Sequence, residues 1–552
     1  MSYFNLGDHS FAVTTSSKDA QLWFDRGLNW TYAYNHEEAV VCYQKAIEAD
    51  PDCAMAHWGV GYAAGPNYNL PWDLYDDAGR AKALAAAYDA TQVAVEKAAG
   101  ASEPEQALIQ ALTARYPQRE PIDDQSIWND AFADAMRQTL KAHPDSLEIR
   151  TVFAEAMLNR TPWKMWNLKK GVPAEGADTL ECEEVLEAAF DQFPAAMRHP
   201  GLLHLYVHLM EMSPYPEKAL KAADVLRTLV PDAGHLVHMP THIDVLCGHY
   251  QNVVHWNQAA VGADLKFYEQ HGPYGIYTGY RLHDYHFVIF GALFLGQIEP
   301  ALNAVRGMFE TTPEDLLRIE SPPMADYFES YLAMEPHIYV RFGKWQEATE
   351  LPLPEDQKLF CTLTANTHYA RGVAHAALGN VEAAEAEEKL FLAAKSRVPD
   401  TRLLHNNKVV DLLEIATHML RGEIAYRKAD YDEAYDELRK SVAADDNLPY
   451  DEPWGWMQPT RHALGALLFE QGHVEQSEQV FREDLGLGGQ LSRATVHPDN
   501  VWALKGLHDC LEARGEKIEI VQIKQRLDLA NARADMAAAA PCFCAQAAMA
   551  AG

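Results

Sequence analysis

The sequence predicts an all-α protein in which antiparallel helix pairs stack into a solenoid. Apolar residues recur with the helical period along most of the 552 residues, and alternating strand patterns are scarce. Small residues recur where two paired helices would approach each other closely. Prolines recur where the second helix of a pair would end, because proline removes a backbone donor and clashes with the preceding turn.

The clearest repeat runs from Ala20 to Pro51. Gly27 and Ala39 are the small residues that let its two helices approach, and aromatic residues fill the gap around them. Pro51 ends the second helix. The same pattern marks three later units, by Gly372 with Ala384, Gly422 with Ala434, and Gly465 with Ser477.

This pattern of bulky, small and proline positions resembles the tetratricopeptide repeat, a two-helix unit with a period of about 34 residues. The resemblance covers most of residues 19–515 and implies a solenoid curled into a superhelix. It divides the chain into an N-terminal segment, N-terminal repeats, histidine-rich central repeats, C-terminal repeats, and a last helix with an alanine-rich tail. These divisions are residues 1–18, 19–160, 161–310, 311–515 and 516–552.

Three aromatic stretches interrupt the repeats, at residues 160–180, 262–282 and 445–460. Their glycines and prolines predict long loops, and loops of this length often form lids or pocket walls. Such loops also serve simply to cover helix ends, and the sequence leaves both interpretations open. The candidate wall residues are Trp163, Trp166, Tyr274, Tyr277, Trp454 and Trp456.

The composition argues against several classes of partner. The formal net charge of −33 disfavours nucleic acid and anionic membrane surfaces, because both require clustered Lys and Arg. We see no signal-peptide pattern and no apolar run as long as a bilayer span. The eight cysteines are scattered rather than arranged as a disulfide framework. A cytoplasmic location is therefore expected.

Two H-x-x-x-H pairs form the most informative motif. His204 and His208 lie in HLYVH, and His238 and His242 lie in HMPTH, 34 residues later. A spacing of four residues places both imidazoles of a pair on one helix face. Because the pair repeats after one period, we expect the two faces to meet on neighbouring helices.

The resemblance to the tetratricopeptide repeat implies that these histidines line the concave groove. If Pro231 ends a repeat, Glu211 and His235 occupy groove positions as well. Glu155 falls at a groove position of the preceding repeat, and His286, on a later helix, is a further candidate.

Imidazole ligands suit Cu, Fe and Zn, and a metal needs three or four ligands. We therefore expect a transition-metal ion held by histidines, with catalytic groups nearby. The expected ligands are His204, His208, His238, His242 and His286, and the expected catalytic residues are Glu211, His235 and Glu155. Neither pair has the glutamate of the H-E-x-x-H zinc-protease signature. Pro240, between the histidines of the second pair, should kink its helix.

Three functions are compatible with these residues. The first is a metal-dependent enzyme, leaning towards an oxidoreductase, that acts on a hydrophobic or aromatic small molecule in the concave pocket. The second is a non-catalytic scaffold that binds a peptide or protein partner. The third is a metal-free isomerase or cyclase in which His and Glu move protons.

Three segments, AGHLVHMPTHI at residues 233–243 and the stretches at 50–69 and 148–163, resemble a group of microbial tetratricopeptide proteins. This resemblance implies the fold and no particular reaction.

Overall fold

The structure is a computed structural model that describes residues 3–489, 491–535 and 537–545. Helices dominate these residues, which confirms the all-α class and its consecutive helix pairs. The chain divides into two compact units. Unit 1 comprises the residues up to Ile243 together with Ala259–Arg281, and unit 2 comprises Asp244–Gln258 and the residues from Leu282 onward. The divisions inferred above from repeat patterns stay predictions.

Unit 1 begins with short, closely packed helices. Its helices are α1 Lys18–Tyr32, α2 His36–Ala49, α3 Ala54–Ala64, α4 Asp77–Lys97, α5 Glu103–Arg115, α6 Ser126–Ala142, α7 Leu147–Leu158, α8 Thr179–Gln192, α9 Pro200–Met210, α10 Leu220–Leu226 and α11 Gly234–His238. Ser17 caps α1 and Asn35 caps α2, each accepting a backbone N–H of the first turn. The short connection between α1 and α2 makes them antiparallel neighbours.

The small residues act as the sequence predicts. A Cβ on Gly27 would lie 2.7 Å from the Tyr43 ring, and one on Gly59 would lie 2.5 Å from it. Tyr43 of α2 therefore packs directly on the backbones of α1 and α3. This contact fixes the spacing of the first three helices.

Three helices contain residues of both units: α12 Pro240–Leu246, α13 Tyr250–His271 and α14 Thr278–Leu295. Pro240 starts α12, and α11 ends two residues earlier. Met239 lies between them and keeps α-helical backbone angles, so the helix is interrupted at one residue, as expected from the N–H that proline lacks.

Unit 2 continues the pattern of helix pairs. Its helices are α15 Ile298–Thr311, α16 Glu314–Leu317, α17 Met324–Phe328, α18 Glu335–Arg341, α19 Trp345–Glu350, α20 Cys361–Ala377, α21 Val381–Lys395, α22 Val409–Arg427, α23 Tyr431–Asp446, α24 Thr460–Glu470, α25 Val474–Asp484, α26 Val501–Ala513 and α27 Glu519–Asn531. A Cβ on Gly422 would lie 2.7 Å from Leu438, and one on Gly465 would lie 2.5 Å from Phe481. The predicted repeats near both glycines are confirmed as tight helix pairs.

The three interruptions differ from each other. Residues 160–180 hold a small antiparallel hairpin, β1 Trp166–Asn167 with β2 Val172–Pro173. The prediction of a loop over 262–282 is mostly wrong, because α13 continues to His271 and α14 begins at Thr278. Gly272, with a φ of +74°, follows the last residue of α13. The third stretch is non-helical between α23 and α24, as expected.

A second hairpin, β3 Leu403–Leu404 with β4 Asn407–Lys408, has no counterpart in the sequence prediction. Near the C-terminus, Cys542 and Cys544 form a disulfide. Within the described residues, every helix is too short or too polar to cross a membrane.

Candidate functional site

Five histidines of unit 1 converge in its interior, and we refer to them as the histidine cluster. Two come from α9, two from α11, and one from α12. They are His204, His208, His235, His238 and His242. Each is at most 2% exposed to solvent. The expectation that the two H-x-x-x-H pairs face each other therefore matches the geometry of unit 1.

One contact in the cluster joins α9 to α11. The Nδ1–H of His204 donates to the backbone carbonyl of Tyr32 over 2.7 Å, which leaves the Nε2 of His204 with its lone pair. The Nε2 of His235 lies 3.1 Å from that nitrogen. Burial lowers the pKa of His204 to about 3, so this imidazole is neutral near pH 7.

Glu211 joins α9 to α12 on the other side of the cluster. Its Oε1 lies 2.9 Å from the Nδ1 of His208, and its Oε2 lies 2.8 Å from the Nδ1 of His242. A carboxylate accepts hydrogen bonds, so both imidazoles carry their proton on Nδ1 and present Nε2 on the opposite side. The Nε2 of His238 lies 2.7 Å from the Nε2 of His242.

This arrangement has the features of a metal site. Metal-ligating histidines commonly donate their second N–H to a carboxylate or a carbonyl, which fixes the ring and the tautomer. His204, His208 and His235 offer ligand nitrogens that all lie within 4.8 Å of one another. Two nitrogens bound to one tetrahedral zinc ion at about 2.0–2.1 Å are separated by about 3.3 Å. The 3.1 Å between His204 and His235 is close to that separation.

Local structure explains how α9 presents its two histidines. His199 is the N-cap of α9, and its Nδ1 accepts the backbone N–H of Leu202 over 3.3 Å. A Cβ on Gly201 would lie 2.6 Å from Thr151 and 2.9 Å from Tyr32. The first turn of α9 is therefore pressed against α1 and α7, which brings His204 within reach of the Tyr32 carbonyl.

Tyrosine rings surround the histidines. The ring of Tyr34 lies 4.6 Å from that of His204 and 5.6 Å from that of His235. The ring of Tyr68 lies 4.5 Å from His208, and that of Tyr280 lies 4.6 Å from His235. Tyr34 has a φ of +54°, which is rare for a residue with a side chain and is often found at functional sites.

Glu155 of α7 is buried next to this tyrosine layer. It accepts a hydrogen bond from the Tyr62 hydroxyl, and burial raises its pKa despite the nearby Arg115 guanidinium. Together with burial, the Glu155 charge raises the pKa of Tyr34, so these two side chains are close enough to interact. Among the described residues, neither the Tyr34 hydroxyl nor the Glu155 Oε1 has a hydrogen-bond partner.

A second group in unit 1 contains two histidines and a carboxylate. The Nε2 atoms of His9 and His199 each lie 3.1 Å from the Oε1 of Glu148, and Tyr32 donates its hydroxyl to the same carboxylate. Because the Nδ1 of His199 accepts from Leu202, its Nε2 carries the proton and cannot ligate a metal in this state. This group therefore anchors Tyr32 rather than forming a metal site.

The remaining expected ligand, His286, belongs to unit 2. Its Nε2 lies 2.9 Å from the Met457 sulfur, and its ring lies 5.4 Å from that of Tyr331. Burial lowers the pKa of His286 to about 3. Its role as a ligand stays a prediction.

Several residues at the site carry no signal in the sequence. Tyr32, Tyr34 and Glu148 approach the histidine-bearing helices from segments that lie far away along the chain. No local motif marks such long-range neighbours. His235 was expected to be catalytic, whereas its position beside His204 and His208 makes it equally suited to be a ligand.

The comparisons with known proteins support the repeat architecture at one place. Residues 35–53, which include α2, match the model of the tetratricopeptide repeat. No curated protein sequence matches the chain significantly.

Two solved structures are similar over most of the chain. One, "Crystal structure of APC/C hetero-tetramer Cut9-Hcn1", is 13% identical with a TM-score of 0.31 and covers 93% of this chain and 76% of that one. The other, "Structure of Naa15/Naa10 bound to HypK-THB", is 11% identical with a TM-score of 0.20, and the match covers 93% of this chain and 70% of that one. Scores this low carry no functional argument.

Proposed function

We propose that this protein is a helical-repeat protein that holds a transition-metal ion in the histidine cluster of unit 1. The observation that carries the proposal is the convergence of five buried imidazoles, three of which have fixed proton acceptors. The Tyr32 carbonyl and the Glu211 carboxylate hold the Nδ1 protons of three of them. Each of those three rings then presents an unprotonated Nε2, which is the atom a metal ion requires.

His204, His208 and His235 are the ligand set that we favour, since their nitrogens all lie within 4.8 Å of one another and all three residues belong to unit 1. Three imidazoles leave a fourth position open, as in catalytic zinc sites. His242 and His238 extend the cluster through Glu211 and supply further nitrogens. Such an all-nitrogen set suits Zn, Cu or Fe, and the choice among them is left to metal analysis.

The tyrosine layer supports a metal-dependent enzyme. Tyr34 places a buried hydroxyl beside the cluster, and Glu155 has a buried carboxylate oxygen; neither atom bonds to a described residue. A substrate with an aromatic or hydrophobic body would pack on the rings of Tyr34, Tyr68 and Tyr280 and meet those polar atoms. An oxidoreductase reaction would follow from a redox metal, and hydrolysis would follow from zinc.

A protein-binding scaffold is the second candidate, and the comparisons favour it over the enzyme. The observation behind it is the match of residues 35–53 to the tetratricopeptide repeat, a unit whose stacks present concave binding surfaces. A metal-free acid–base enzyme is the third candidate. It would keep its activity after exhaustive chelation, because His and Glu alone would move the protons.

Metal analysis of the purified full-length chain tests the proposal. We expect about one Zn(II) per chain to survive dialysis into metal-free buffer, by analogy with three-histidine sites. The double variant His204→Ala/His235→Ala should lose it, and His255→Ala, at an exposed position, should keep it. A wild-type chain that retains no Zn, Cu or Fe would leave the scaffold as the better explanation, provided that it then binds a peptide saturably.

A further inference from the structure

Unit 2 contains a small cavity with a polar lining. Its walls come from α18, α19, α20, α22 and α24, from the aromatic stretch before α24, and from the disulfide segment near the C-terminus. The side chains with polar atoms that line it include Arg341, Tyr369, Glu423, Trp456, Gln458, Thr460 and His462. None of them belongs to the histidine cluster.

Arg341 is a buried cation with neutral partners. Its guanidinium donates to the Nδ1 of His462 over 2.8 Å and to the backbone carbonyl of Pro541 over 3.0 Å. Arginine only donates, so His462 is neutral and passes its own Nε2–H to Asp484 over 2.9 Å. In the described part of the chain, no carboxylate forms an ion pair with Arg341, and its Nε has no acceptor.

Glu423 faces the same cavity. It is fully buried, and neither of its oxygens accepts a hydrogen bond from a described residue. The Nη2 of Arg427 lies 3.6 Å from its Oε2. Burial raises the pKa of Glu423 to about 7, so a large share of this group is protonated near neutral pH.

Two more side chains place unsatisfied donors at this cavity. The Trp456 indole N–H and the Thr460 hydroxyl are buried, line the cavity and have no partner among the described residues. Buried polar groups are normally satisfied, and a ligand with acceptor oxygens in this cavity would satisfy these donors. Val373 and Met419 line the same space and give it an apolar side.

We propose that unit 2 binds a short-chain monocarboxylate in this cavity, with Arg341, Trp456 and Thr460 donating to its oxygens. The negative charge compensates the buried guanidinium, which forms no ion pair with a described carboxylate and is linked to Asp484 only through His462. A protonated Glu423 donates a further hydrogen bond, and the alkyl group packs on Val373 and Met419. The limited space restricts the ligand to a few non-hydrogen atoms.

Calorimetric titration of the full-length chain with sodium propionate tests this proposal, with formate, acetate and inorganic phosphate as parallel probes. We expect saturable binding of propionate at one site per chain. Trp456→Phe removes the indole N–H and should weaken binding at least about tenfold, the usual effect of losing a hydrogen bond to a charged group. Thr460→Val provides a second, nearly isosteric test.

Trp454→Phe is the matched control. Trp454 lies in the same stretch, but its N–H donates to Asp445 over 2.9 Å and it does not line the cavity. The Trp454→Phe variant should bind propionate with the affinity of the wild-type chain. Absence of saturable carboxylate binding, or equal affinity in the control and both cavity variants, would overturn the proposal. Tighter binding of phosphate than of propionate would also overturn it.

The titration is repeated after exhaustive chelation. Equal propionate affinity is expected, because the cavity uses none of the proposed metal ligands. A loss of binding on chelation would contradict the assignment to this cavity. Failure of the metal proposal would leave the carboxylate titration unaffected, so the two results are separable.

Discussion

Glu211→Gln is the most informative single substitution at the histidine cluster. The wild-type carboxylate is fully buried and accepts one Nδ1–H from His208 and one from His242, over 2.9 and 2.8 Å. A glutamine has one acceptor oxygen and one NH2 group of nearly the same shape. Its NH2 group would face one of the two Nδ1–H groups, so one imidazole must rotate or change tautomer.

The expected effect on metal affinity follows from that loss. Removing a partner that orients a metal-ligating histidine typically weakens binding about 10–100-fold. This range corresponds to about 1.4–2.7 kcal/mol, since a factor of ten is about 1.36 kcal/mol. A chelator competition with Zn(II) measures the change directly. The variant should still bind zinc, because the Tyr32 carbonyl continues to orient His204.

Glu148→Gln is the matched control for this experiment. It replaces another buried carboxylate of unit 1 that is shared by two histidines, His9 and His199. We expect a loss of stability in both variants and a loss of zinc affinity mainly in Glu211→Gln. If both variants bind zinc as tightly as the wild-type chain, Glu211 does not orient metal ligands and the reasoning is refuted.

Three further predictions concern stability. Gly27→Ala should destabilise unit 1 by about 1–3 kcal/mol, because the added Cβ overpacks against Tyr43. Gly100→Ala, where the added Cβ has open space around it, should leave the stability unchanged. Chemical denaturation measures the unfolding free energy of both variants. Glu423 holds a proton in the folded chain, with a pKa of about 7 against 4.5, so its contribution to stability falls by about 3 kcal/mol as the pH rises from 4.5 to 7. Glu423→Gln removes this pH dependence. If the difference in unfolding free energy between the variant and the wild-type chain stays constant between pH 5 and pH 8, the prediction is contradicted. Trp166→Phe removes the hydrogen bond from the indole N–H to the Leu209 carbonyl and should lower the free energy of unfolding by about 1–3 kcal/mol, which a lower melting temperature would reveal. An unchanged melting temperature would show that this hydrogen bond does not contribute to stability.

Local patterns predicted the helix pairs well. The small residue at position 27 predicts a close approach of two helices, and the proline at position 51 predicts the end of the second helix. Both predictions hold because the contacts and backbone effects behind them lie within a single repeat. The same holds for the H-x-x-x-H pairs, since their spacing fixes a common helix face. The disruption expected at Pro240 is found there, where α11 ends at His238 and α12 begins.

Other features depend on contacts that no repeat pattern contains. The glycines and tyrosines around Gly262 predict a loop, yet α13 continues through this residue, and a Cβ added there would have open space around it. Tyr32 reaches His204 across 172 residues. Glu148 and His199 are 51 residues apart. Such partners become visible only when the helices have packed.

X-ray absorption at the zinc edge tests the central claim most directly. The full-length chain is loaded with one equivalent of Zn(II), and its spectrum is compared with that of His204→Ala/His235→Ala. We expect a first shell of nitrogen at about 2.0–2.1 Å with imidazole scattering beyond it, lost in the variant. A spectrum of hydrated or carboxylate-bound zinc, or one that the double substitution leaves unchanged, would contradict the histidine metal centre.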